Sequence, residues 1–165
     1  MSTIIRIIDG IPRIVADEWE VLRPESAVAS AYAYQIVPLA QFSSALDQGV
    51  ASDIRAVWIS PENDFEPLIA HLLSLEIIAV DFPSFRDGRG YSIATLLRTR
   101  YGWAGQLRAI GDVLRDQLNF MRRCGFDAFA IRPDKDIQDA MKSFGHYSVR
   151  YQGAADDPLP LFRRR

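Results

Sequence analysis

The sequence predicts one α/β domain built on a mainly parallel sheet, and three observations carry that reading. From Gln41 onward, short apolar runs rich in β-branched or aromatic residues alternate with amphipathic stretches, which implies repeated strand–helix–strand crossovers. At the amino end, two apolar runs flank Asp9-Gly10, a pair suited to the positive φ values of a tight hairpin turn. The 165 residues are 48% hydrophobic, enough to bury one core without disulfides or metals. An incomplete (β/α) barrel is the alternative arrangement of the same units.

Taken in order, residues 4–8 and 13–15 form a small antiparallel hairpin expected to cover a sheet edge. Residues 18–34 show weak periodicity, and Pro24 and Ser26 argue for a loop, before residues 35–39 offer a short apolar strand. The regular alternation then predicts a helix over 41–48, a strand over 56–60, a helix over 65–74 and a strand over 77–82. It continues with a helix over 92–101, a strand over 107–110, a helix over 112–123, a strand over 128–131, a helix over 135–144 and a strand over 147–151.

Boundary residues support this register. Asp112 and Asp134 suit helix starts, where a carboxylate accepts bonds from free backbone donors, and Gly102, Gly125 and Gly145 suit the left-handed residue after a helix. In the helix over 112–123, Val113, Leu114, Gln117, Leu118 and Met121 make the inward stripe. Arg115, Asp116, Asn119, Arg122 and Arg123 then point outward or obliquely. The domain is expected to span residues 1–151. From Gln152 the sequence GAADDPLPLFRRR lacks periodicity and reads as a flexible tail, whose Leu-Pro-Leu-Phe group could dock on a partner.

The formal charge of -2 excludes a general attraction to nucleic acid or anionic lipid, which needs many cationic contacts with phosphates. The charge is uneven, however. Residues 81–125 hold eight Arg against four Asp, a local net of +4. Arg outnumbers Lys seventeen to two, which favours planar bidentate contacts to oxyanions, although a genome-wide codon bias explains the overall ratio equally well. The single cysteine, Cys124, cannot form an internal disulfide or by itself hold an iron–sulfur cluster; a buried, inert thiol is the simpler reading. His71 and His146 are isolated, so no metal site is assembled. Trp103 and Tyr101 read as core. No apolar run reaches the length of a membrane span and no signal peptide opens the chain, so a cytoplasmic location is expected.

The most informative stretch is 78–129, where polar residues crowd the loops at the carboxyl ends of predicted strands, the usual place for ligand sites in parallel sheets. The loop from Pro83 to Ser92 follows a strand and opens a helix. Gly88 and Gly90 would let backbone donors approach a ligand, while Arg86, Arg89 and Ser92 could hold an oxyanion or phosphate there. Asp87 belongs to the same loop. Asp81, ending an apolar strand, is expected to face the crevice, and Asp112 is either a cap or a ligand contact. Arg89 could instead pair with Asp81 or Asp112 and only fix the loop. If the two acids meet, one could act as acid or base, but no nucleophile accompanies them. There is neither a Walker sequence nor a dinucleotide fingerprint, so the cofactor, flavin included, stays open. The outer face carrying Arg98, Arg108, Arg115, Asp116 and Arg123 is a candidate partner surface. The sequence also leaves a homo-oligomer open.

These residues resemble a bacterial family of uncharacterised proteins labelled as probable oxidoreductases of sulfite reduction, a label that comes from association with sulfite or nitrite reductase genes. The resemblance is carried by Asp81-Phe82-Pro83, Asp87-Gly88-Arg89-Gly90-Tyr91-Ser92, Leu97-Arg98, Arg108-Ala109, Gly111-Asp112-Val113-Leu114-Arg115-Asp116-Gln117 and Arg123-Cys124-Gly125-Phe126-Asp127. It covers residues 77–131 strongly. It implies a place in assimilatory sulfur metabolism and brings no catalytic residues with it. Two expectations follow: an accessory protein that binds the reductase or an oxyanion at loop 81–92, or a small-molecule oxyanion- or phosphate-binding enzyme or sensor.

Overall fold

The computed structural model describes residues 2–23, 34–146 and 149–164. The chain opens with β1 (Ser2–Ile8) and β2 (Ile11–Asp17), paired antiparallel. Asp9 and Gly10 turn between them at φ 51° and 76°, as a type I′ hairpin requires. The ribbon does not cover an edge; it extends the sheet, because β1 also pairs with the last strand, β8 (Ala128–Phe129). Between them run β3 (Glu20–Val21), β4 (Gln35–Pro38), β5 (Ala56–Ile59), β6 (Ile77–Phe82) and β7 (Gln106–Gly111).

The spatial order is β2-β1-β8-β7-β6-β5-β4-β3, so the parallel strands β3 to β8 lie side by side in chain order. Such a sheet winds in one direction only and curls into an eight-stranded half-barrel. Two-residue alternation separates its faces. Val37, Val57, Ile59, Ile78, Val80, Phe82, Leu107, Ala109 and Phe129 share one core with buried residues of all five helices. These helices are α1 (Leu39–Asp47), α2 (Ile69–Leu72), α3 (Arg89–Thr95), α4 (Leu118–Cys124) and α5 (Ile137–Lys142). The alternate residues Ile36, Ala56, Trp58, Ile77, Ala79 and Ile110 form a second cluster with Trp19, Val21 and Ala130 and with no helix residue.

Arg108 lies in β7 on this helix-free face, only 1% exposed, and makes two 3.0 Å bonds to the Asp17 carboxylate at the end of β2. It ties the amino-terminal ribbon to the centre of the sheet and cannot belong to a partner surface. Arg98 is likewise a structural tie. It donates Nε to Gly125 O (2.9 Å) and Nη1 to Trp103 O and Gly105 O (both 2.8 Å), pairs with Asp127 at 3.2 Å, and stacks on the buried Trp103 ring. The sequence reading put it on an outer face, yet carbonyls in the chain beyond the π-helical turn at Leu96–Arg100 (Trp103, Gly105) and the one just past α4 (Gly125) draw the guanidinium in.

Several boundaries differ from expectation. Asp112 does not cap α4: the chain bends there, with Val113 N donating to Gly111 O at 2.9 Å, is extended at Leu114 and enters a 3-10 turn at Arg115–Gln117. Asp136, not Asp134, caps α5 by accepting from Gln138 N at 2.8 Å, while Asp134 bonds to Arg132. Gly102 and Gly125 are left-handed as expected, but Gly145 is not among the positive-φ residues. Asn119 is buried rather than outward. The expected loop around Pro24 and Ser26 lies outside the described residues. So do Tyr147 and Ser148, and Val149–Tyr151 of that expected strand join no sheet. The segment read as a tail is laid against α4, with Ala155 N donating to Arg123 O (3.0 Å) and Arg150 pairing with Asp156 (2.8 Å).

Removing one partner of a buried pair leaves the other charge uncompensated. Arg108→Ala is therefore expected to destabilise the protein by about 3–5 kcal/mol, read as a lower urea midpoint; a loss under about 1 kcal/mol, the scale of an exposed pair, would contradict this role.

Candidate functional site

The carboxyl ends of the parallel strands meet in a cleft of about 510 Å³ lined by Arg23, Asp81, Phe82, Gly111, Asp112 and Arg132, with Pro83 at its side. Parallel strands present their loop-bearing ends together, so residues distant in sequence converge there. Arg23 follows β3, Asp81 and Phe82 end β6, Gly111 ends β7, and Arg132 follows β8. Asp81 has the parity of Ile77 and Ala79, which turns it away from the helix-side core.

Gly111 makes this convergence possible. It is left-handed (φ 88°), and a Cβ there would stand 2.5 Å from Phe82 O and 2.7 Å from Asp81 Oδ1. Only glycine permits both the backbone turn and the approach of the carboxylate. Asp112 N then donates to Phe82 O at 2.7 Å, closing β6 on β7 beyond the last paired residues.

The charges are arranged in pairs. Asp81 meets Arg23 at 3.0 Å. Asp112 accepts from Arg132 Nη1 at 2.8 Å and from Phe85 N at 2.7 Å. Arg132 keeps a second carboxylate, Asp134, through Nε (2.9 Å) and Nη2 (3.0 Å). The Arg132 bond, followed by that from Phe85, holds the Asp112 carboxyl below its ordinary range, and the two aspartates in turn raise the Arg132 guanidinium. Asp112 is thus a fixed anion that positions Arg132 and anchors the loop after β6. Gln117 adds a bond to Phe85 O (2.7 Å).

Of the sequence-derived ligand set, Asp81 and Asp112 line the cleft; Arg86, Asp87, Gly88, Arg89, Gly90 and Ser92 do not. Arg89 pairs with neither Asp81 nor Asp112. It chelates Asp87, through Nε (3.0 Å) and Nη2 (2.7 Å), and reaches Glu62 at 2.7 Å. Asp87, bound mainly by Arg89, is held below the usual carboxylate range. Arg86 stacks over the neighbouring Phe85 ring, and Ser92 is exposed. Gly90 has a packing role: a Cβ would stand 2.7 Å from the Phe82 ring. Arg23 and Arg132 were missed. Arg132-Pro133-Asp134 sits just past a predicted strand and was open to the same carboxyl-end reasoning, whereas nothing local to Arg23 marks it.

The other singled-out residues are structural or peripheral. Burial pushes the half-buried Cys124 thiol up, against smaller opposing effects of Thr95 and Arg123. Trp103 is core, and the Tyr101 hydroxyl donates to Glu66 (2.8 Å). Arg115 pairs with Asp139, and Arg123 donates to Gln152 O. Among the described residues, no group of three or more His, Cys, Asp or Glu is placed to hold a metal, and no helix is long and apolar enough to cross a membrane.

Because the folded Asp112 carboxyl is depressed, its pairing stabilises the fold above the unfolded value of about 3.9. That contribution is lost as pH falls through the lower folded value. A carbon-detected NMR titration is expected to show Asp112 protonating below ordinary aspartates and returning towards about 3.9 in Arg132→Ala; an unchanged midpoint in the variant would remove Arg132 as the cause.

No curated protein and no solved structure matches the chain. Residues 56–162, more than half of the sequence, match a family that runs from β5 through the cleft-bearing ends of β6, β7 and β8 to the C-terminal segment. The chain belongs to this family, described as bacterial protein of unknown function (DUF934).

Proposed function

We propose that this protein is an accessory of sulfite reduction that holds a small oxyanion in the cleft above β6 and β7, with Arg23 and Arg132 as its cations. The observation that carries the reading is the convergence of two guanidinium groups and two carboxylates from four strand ends on one cleft. Arg23 and Arg132 already meet aspartates at 3.0 and 2.8 Å, so an incoming anion exchanges with a carboxylate. Exchange favours a compact, doubly charged oxyanion, which offers more charge and more acceptor positions than the aspartate it displaces.

The resemblance of residues 77–131 to proteins associated with sulfite and nitrite reductase genes supports the metabolic setting. Binding is favoured over catalysis because the cleft lining, Arg23, Asp81, Phe82, Pro83, Gly111, Asp112 and Arg132, brings no nucleophile to the two acids. The loop arginines do not supply this site, since Arg89 is committed to Asp87 and Glu62 outside the cleft.

Calorimetry with sulfite, sulfate and phosphate provides the test. Arg132→Ala is expected to weaken the best-bound anion by about ten- to a hundredfold, the range for losing one charged hydrogen bond, while Arg89→Ala leaves binding unchanged. Absence of heat with all three anions, or full binding by Arg132→Ala, would reject the proposal.

A further inference from the structure

The two carboxylates of the cleft are not equivalent. Asp112 has a donor on each oxygen, Arg132 Nη1 on Oδ1 at 2.8 Å and Phe85 N on Oδ2 at 2.7 Å. Asp81 has a donor on one only: Arg23 Nη2 reaches Oδ1 at 3.0 Å, and among the described residues nothing donates to Oδ2. This oxygen is not one of the enclosed, partnerless atoms of the interior; the 10% of the Asp81 side chain left uncovered faces the cleft that it lines. Nor can the group turn away. Asp81 as a residue is only 7% exposed, and Oδ1 lies where a Cβ on Gly111 would come within 2.7 Å, so the carboxylate is packed on the glycine backbone. An ionised carboxylate has lone pairs and no proton, so Oδ2 accepts and never donates.

On the footing of the oxyanion reading above, we propose that the cleft takes an oxyanion that carries its own proton, donated to Asp81 Oδ2, and rejects the bare ion of the same size and charge. An oxyanion held by Arg23 stands beside Asp81, because the same guanidinium touches that carboxylate. Sulfate brings only acceptors there and meets Oδ2 as a like charge. Hydrogen phosphate has the same tetrahedral shape and the same double charge, but its one O–H donates to Oδ2 in a short charge-assisted bond. Hydrogen sulfite brings one proton likewise. An acceptor cut off from water and left without a donor costs more than the bond is worth when made, so the selectivity comes from rejection of the wrong ion.

The test is calorimetry of the full chain with sulfate and with phosphate, in mildly alkaline buffer where both ions carry two charges. Phosphate is expected to bind at least about tenfold more tightly than sulfate, the lower range for one charged hydrogen bond. Methyl phosphate, doubly charged in that buffer but without an O–H, is expected to follow sulfate; the cleft of about 510 Å³ has room for its methyl group. Asp81→Asn removes the like charge and offers an amide N–H, so sulfate is expected to gain and the two affinities to fall within about threefold of each other. Sulfite and phosphate are then compared in mildly acidic buffer, where both hold a proton, and the tighter of the two identifies the ion that the cleft serves. Equal binding of sulfate and phosphate by the wild-type protein, with both weakened in Arg132→Ala, would leave the oxyanion cleft standing and overturn its preference for a proton. Heat from none of these ions would remove the cleft reading itself, and this preference with it. The wild-type comparison decides the question even where Asp81→Asn does not fold.

Discussion

The pairing of β6 with β7 is the constraint on which the cleft depends. Six parallel residue pairs, from Ile77 opposite Gln106 to Phe82 opposite Gly111, bring the ends of the two strands level, so Asp81 and Asp112 emerge side by side. A one-residue slip would exchange the two faces of β6, carrying Asp81 into the apolar helix-side core and Phe82 out of it. Gly111 defends the register at its end, since the Asp81 carboxylate and the Phe82 carbonyl occupy the space that a side chain would need. The placement of charge at the site is therefore a consequence of backbone pairing and of one absent Cβ.

The arginines divide by environment rather than by sequence neighbourhood. Arg98 and Arg108 spend their guanidinium groups on interior carbonyls and a buried aspartate; Arg89 braces its own loop against Glu62; Arg132 organises a carboxylate at the cleft. Guanidinium tolerates burial when every donor is met by an acceptor in its plane, which is why residues so similar in sequence serve such different ends. Much of the local basic excess between Asp81 and Gly125 is consumed internally and does not appear as a surface field.

The parallel sheet, the opening hairpin and the span of β6 were legible in the sequence because they depend on short-range signals: apolar runs, a period of two, and an Asp-Gly turn. Asp81 was legible for the same reason, as a carboxylate ending an apolar strand. Arg23 was not, since its arrival at the cleft depends on β3 pairing with β4 at the far margin of the sheet. The Asp112 and Asp134 caps failed because a carboxylate near a helix start is drawn equally to a nearby guanidinium, and Arg132 bonds both. Direct pairing of a strand end with a loop, rather than local propensity, decided those positions.

The sheet ends differently on its two sides. Among the described residues it finishes on one side in β3, a strand of two residues, and on the other in β2, which carries Pro12, Arg13 and Asp17. A proline has no amide hydrogen to offer an added ladder, charged side chains oppose stacking of like chains, and two residues give a foreign strand little to grip. An open half-barrel, unlike a closed cylinder, would otherwise invite fibrous growth through its unpaired borders, and this chain carries its deterrent at both of them.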